Sequence, residues 1–141
     1  MRWRMRVAAE LLRALRPMIR VERSLRDETL PETCRRVGIG YERDSVEPAA
    51  LGPVVLSKQE RAGVRAARMV VARWPAGDTC LRQCLLIGHR LRKHDPVLRI
   101  GVRRNARGEF QAHSWLEFGG HAWDPQAAEY AALGSARGSD Q

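Results

Sequence analysis

The hydrophobic period of this chain changes once, near Pro96, and that change limits the possible folds more than any other feature. Before it, apolar residues recur every three or four positions. Val64, Ala67, Val71 and Trp74 form one such run, and Leu81, Leu85 and Leu91, with Ile87 beside them, carry a second helix. After it, Val97, Leu98, Ile100 and Val102 sit in a β-branched stretch, the mark of a strand. Helices followed by strands imply an α+β domain, with helices to about residue 93 and then a small antiparallel sheet.

Local signals place the elements. Ser57 and Glu60 make a capping box, so a helix is expected over 58–73, stopped by Pro75 and Gly77. Asp78 or Thr79 caps the next helix, which runs to about Lys93 and ends at His94-Asp-Pro. Asn105 to Gly108 reads as a turn between two strands. The second strand, 110–118, closes through Gly119-Gly120 onto a third at 121–123, which Pro125 cuts off. Upstream, Trp3, Val7, Leu11 and Leu15 at steps of four predict an amphipathic helix over 3–15, with Pro17 as a boundary or a kink. A short helix through Val21 and Leu25 follows. Another begins after the break at 27–31 and reaches Val37, and 38–41 is a turn or a short strand. The stretch 47–53 reads as a loop. The chain therefore divides into an N-terminal helical segment (1–50), a core (51–133) and a disordered tail (134–141).

Composition excludes several classes. A chain of 141 residues carries one core. With 44% hydrophobic residues it is neither a disordered tail nor a fibre, and no uninterrupted apolar run approaches the ~18 residues of a membrane span. The net charge is +9, and Lys58 and Lys93 are the only lysines among 25 basic residues. Arginine-rich surfaces bind phosphate and carboxylate. These arginines are spread along the chain rather than clustered, so no nucleic-acid partner is expected. A basic, non-catalytic adaptor for nucleic acid or another anionic partner is the alternative function. Three cysteines, an odd and sparse count, argue against a secreted disulfide framework. The basic start resembles a signal peptide, but Glu10, Arg13 and Arg16 interrupt its apolar run, and the protein reads as cytoplasmic.

Cys80 falls at the predicted start of a helix. Unpaired N–H groups and the positive dipole end favour a thiolate there and can also hold an oxyanion. Cys80 is thus either a nucleophile or a small buried hydrophobe. Cys84, one turn further on, reads as core, and Cys34 as core or surface. Cys80, Cys84, His89 and His94 match no standard zinc spacing. His113 stands mid-strand, and Asp124 follows one hairpin later, within reach of its imidazole if the turn is tight. Cys, His and Asp in that order, on a helix start and then neighbouring strands, suit thiol acyl transfer. Trp115 shares a strand face with His113 and either walls a cleft or packs the core.

Several blocks together resemble one family: Cys80-Leu-Arg-Gln-Cys84, Ile100-Gly-Val-Arg103, Ala112-His-Ser-Trp-Leu-Glu117, and Asp124. The chain resembles the transglutaminase-like cysteine peptidases of lasso-peptide biosynthesis, the stand-alone leader peptidases, over roughly 56–125. The resemblance implies a transglutaminase-like or papain-like core, with the Cys-bearing helix packed on a small antiparallel sheet. It implies Cys80 as nucleophile, His113 as general base and acid, and Asp124 as the orienting carboxylate. Trp115 and Thr79 are the expected substrate contacts. The resemblance also implies a ribosomal precursor peptide as substrate, a small leader-binding protein and an ATP-dependent macrocyclase as partners, and no cofactor or metal. Two positions depart from the family pattern: Ser114 replaces a common alanine, and His94-Asp-Pro replaces a turn that usually contains glycine. The apolar stripe Trp3, Val7, Leu11 and Leu15, or an edge of the small sheet, is where a partner is expected to dock.

Overall fold

A computed structural model describes residues 2–42, 50–52, 54–123 and the backbone of 131–132. Helix α1 spans Arg2–Asp27, α2 Leu30–Val37, α3 Lys58–Ala72 and α4 Cys80–Arg90. Strand β1 is Gly40–Tyr41, β2 Ala50–Leu51, β3 Val97–Arg104, β4 Phe110–Phe118, β5 His121–Ala122 and β6 Ala131–Ala132. No described helix is long and apolar enough to cross a membrane.

Helix α4 is the centre of the molecule. Five consecutive residues, Cys84 to Gly88, are buried, so the helix is enclosed rather than one-sided. It packs on α1, α2, α3 and the sheet. Gly88 lets neighbouring chain come close: a Cβ there would stand 2.9 Å from Ile39 Cγ2, just before β1, and 3.4 Å from Leu116 Cδ2 of β4. Leu85 and Leu86 are fully buried, each worth about 2 kcal/mol in transfer free energy.

The α+β architecture holds, with one correction to the sheet. The order is β1-β3-β4-β5-β2, with β6 also on β3. The β3–β4 and β4–β5 pairs are antiparallel as expected, but β1 runs parallel to β3 and β2 parallel to β5, so the sheet is mixed. Two-residue strands carry no periodic signal, and their pairing is non-local. For the same reason the loop expected over 47–53 in fact holds β2; residues 43–49 and 53 lie outside the described residues. The expected tail, 134–141, also lies outside them.

The first helix departs further from expectation. It continues through Pro17 as a single helix of 26 residues. A proline inside a helix forfeits one hydrogen bond and costs about 3 kcal/mol. Met18 and Val21, fully buried just beyond it, offset that cost. The buried face is also not the expected stripe. Trp3 is 74% exposed and Leu15 38%, whereas Glu10, Ala14, Met18, Val21 and Glu22 are buried. Ala14 is small enough for the neighbouring helices to pack closely against it. Glu10 and Glu22 are buried because arginines of α4 pair with them: Arg90 with Glu10, and Arg82 Nε at 2.9 Å from Glu22 Oε2. Helix α1 thus clamps both ends of α4, and the first turn of α4 is where the candidate nucleophile stands.

Candidate active site

The first turn of α4 is built by its cap. Thr79 is the N-cap, and its hydroxyl accepts from the Arg82 N–H at 3.2 Å. The Thr79 carbonyl takes the Gln83 N–H at 3.0 Å. Cys80 is the first helical residue and is partly exposed. An α-helix leaves its leading N–H groups without intrahelical partners. With Arg82 served by the cap, the N–H groups of Cys80 and Leu81 remain as donors at this helix end.

Helix α3 runs beside α4 and is positioned by the expected capping box. Glu60 N–H donates to Ser57 Oγ at 3.1 Å, and Ser57 N–H donates to Glu60 Oε2 at 2.7 Å. Glu60 also holds His94 Nε2 at 2.7 Å, tying α3 to the turn that feeds β3. Hydrogen bonds from Ser57 and His94 keep the Glu60 carboxyl below its ordinary range.

Strand β4 carries the other candidate. His113 is half-buried and pairs across the ladder with Gly101 of β3. Paired residues point to the same face, so Gly101 leaves that face open beside the imidazole. The His113 ring stacks on Trp115, with centroids 6.2 Å apart and planes at 28°. Trp115 is itself fixed: its Nε1–H donates to Glu117 Oε1 at 3.2 Å, and Arg99 Nε lies 3.3 Å from the same oxygen. All three of these side chains are buried. Leu116 and Phe118, at the alternate positions, join the helix-packed core.

Cys80 and His113 line one open cleft of about 450 Å³. Its lining takes four consecutive β4 residues, His113 to Leu116, and so draws on both faces of the strand. Trp115 therefore both walls the cleft and packs inside. Thr79, expected to touch substrate, spends its hydroxyl on the cap. Asp124 lies outside the described residues. Cys84 is buried and also reaches the cleft. Cys34 is fully buried, and burial pushes its thiol up to about 11.

Sequence reasoning missed several residues. Gln83, three positions after Cys80 and therefore on the same side of the helix, lines the cleft and donates to Asp78 Oδ1 at 2.8 Å. Arg68 lies 5.8 Å from the Trp123 ring centroid at the cleft's other wall. Arg99 was signalled by a charge inside an apolar strand, and Glu117 by its alternation with Trp115. Ser114 Oγ is buried in the cleft wall and has no hydrogen-bond partner among the described residues.

These features define an α+β protein with a thiol at a helix start and an imidazole on an adjoining strand. A family model described as the transglutaminase-like superfamily matches residues 1–135, and the chain belongs to that superfamily. Neither a curated protein nor a solved structure matches it. The superfamily commonly has cysteine-protease-type activity, and the domain is compatible with a cysteine peptidase.

Proposed function

We propose that the protein is a cysteine peptidase that removes the leader from a ribosomal lasso-peptide precursor. The observation that carries this reading is that Cys80, first residue of α4, and His113 of β4 line the same cleft. In this reading His113 takes the thiol proton and Cys80 Sγ attacks the scissile carbonyl. The Cys80 and Leu81 N–H groups receive the oxyanion. The C–N bond breaks as His113 returns the proton to the leaving amine, leaving a thioester on Cys80. Water, deprotonated by His113, releases the acid and the free thiol. Asp124 accepts from the imidazole and holds its orientation. The released core amine is the group a partner macrocyclase would acylate with ATP.

The small cleft favours a tethered substrate. A flexible peptide held only around its cut binds weakly, because ordering it costs free energy. A leader-binding partner raises the local concentration of the scissile bond to roughly the millimolar range. The test is mass spectrometry of a candidate precursor with and without that partner. Cleavage at the leader–core junction should appear, and the partner should accelerate it at low precursor concentration without affecting a leaderless fragment. Cys80→Ala and His113→Ala should each abolish cleavage, with a smaller loss for Asp124→Asn. Full activity of His113→Ala would refute the assignment. An amine-adduct mass in place of the hydrolysis product would make the enzyme a transferase. Salt-sensitive nucleic-acid binding with an unreactive Cys80 would favour the adaptor reading.

A further inference from the structure

We propose that the groove between α1 and α3 is a docking site for an acidic amphipathic helix of a partner protein. The groove holds about 880 Å³ and shares no lining residue with the catalytic cleft. The proposal goes beyond the peptidase reading and does not depend on it.

Three large apolar side chains line it in the open: Trp3, 74% exposed, Met5, 65%, and Met69, 40%. Leaving such groups in water is unfavourable, and exposed tryptophan is a typical binding anchor. Methionines adapt to the shape of whatever covers them. The lining runs along α1 from Trp3 to Arg13, a rise of about 15 Å at 1.5 Å per residue, or roughly three turns of an occupying helix. An apolar seam between two helices suits a third helix lying in it.

Charge selects the kind of helix. Arg6, Lys58 and Arg65 line the groove and hold no ion pair among the described residues. The acid in the lining, Glu10, is already held by Arg13 and Arg90. The groove is therefore apolar along its length with unmatched cations at its sides. A helix with one apolar stripe flanked by Asp or Glu satisfies both features. An anionic membrane satisfies the charge, but a bilayer surface does not fill a concave groove.

The test uses the full chain and a display library of peptides about four helical turns long. Each peptide carries a fixed helical apolar stripe, and the flanking positions are randomised. Selected peptides should carry acidic flanks and bind in a polarisation assay. Trp3→Glu and Lys58→Glu should each weaken that binding about tenfold, with unchanged far-ultraviolet circular dichroism. Should Trp3→Glu fail to fold, the exposed Lys58→Glu variant decides alone. Selected peptides without acidic bias, or binding indifferent to both substitutions, would overturn the proposal. So would sedimentation with phosphatidylglycerol vesicles that Trp3→Glu abolishes while no peptide is selected, which would make the groove a membrane site.

Discussion

Replacing Glu22 with alanine should loosen the helix that carries the candidate nucleophile. Glu22 is buried on α1 and accepts from Trp74 Nε1 at 3.1 Å and from Arg82 Nε at 2.9 Å. Arg82 lies two residues after Cys80, and its side chain is only 18% exposed. The substitution strands that guanidinium without its carboxylate. Breaking a buried pair in this way costs about 3 kcal/mol. With a urea m-value of about 2 kcal/mol/M, the unfolding midpoint should fall by roughly 1.5 M. The effect should depend on pH. The Arg82 hydrogen bond, foremost, holds the Glu22 carboxyl below its ordinary 4.5. A carboxyl whose folded pKa is lowered contributes fully above the unfolded value and loses that contribution as pH falls through the folded one. The penalty of Glu22→Ala should therefore be full near neutrality and shrink below about pH 4. Urea titrations of both proteins at the two pH values measure it. A loss under about 1 kcal/mol at neutral pH, or a penalty that does not change in acid, would refute the reasoning.

Two further substitutions probe the packing around α4. Gly88→Val should cost about 2–3 kcal/mol in thermal or urea unfolding, because its side chain would meet Ile39 and Leu116; unchanged stability would mean the sheet does not approach α4 this closely. Burial lowers the His89 imidazole below its usual 6.5, although its Nδ1 lies 2.9 Å from the Val37 carbonyl. The unfolded chain therefore takes up a proton that the folded one refuses, and stability should fall as pH drops from about 7 to 5. His89→Gln should flatten that decline, and parallel pH profiles for the two proteins would count against it.

Much of this fold is written in local signals. The capping box at Ser57 and the cap at Thr79 fix the starts of α3 and α4 to within a residue, because a cap is set by neighbouring atoms. Gly119 and Gly120, at φ of 58° and 80°, take the left-handed backbone of a tight hairpin turn, which is why β4 and β5 could be placed. What failed was non-local. The phase of α1 depends on Arg82 and Arg90, some 60 to 80 residues away, which turn two acids inward. Hydropathy alone selected Trp3 and Leu15, the residues that face outward. Cys80 and His113 were legible because helix starts and strand alternation place them. The Arg99–Glu117–Trp115 arrangement was legible only in part: a charge inside the apolar run of β3 marks Arg99, but nothing in that segment names its partner on another strand.

The most direct test of the central claim, that Cys80 is the reactive thiol of a Cys–His site, needs no substrate. The folded protein is treated with limiting iodoacetamide, and labelling at each cysteine is followed by mass spectrometry. Cys34, buried and raised to about 11, should label only on unfolding. Cys80 should label first, ahead of buried Cys84, and His113→Ala should slow Cys80 while leaving the order of the other two unchanged. Labelling of Cys84 or Cys34 before Cys80, or a Cys80 rate indifferent to His113, would contradict the account.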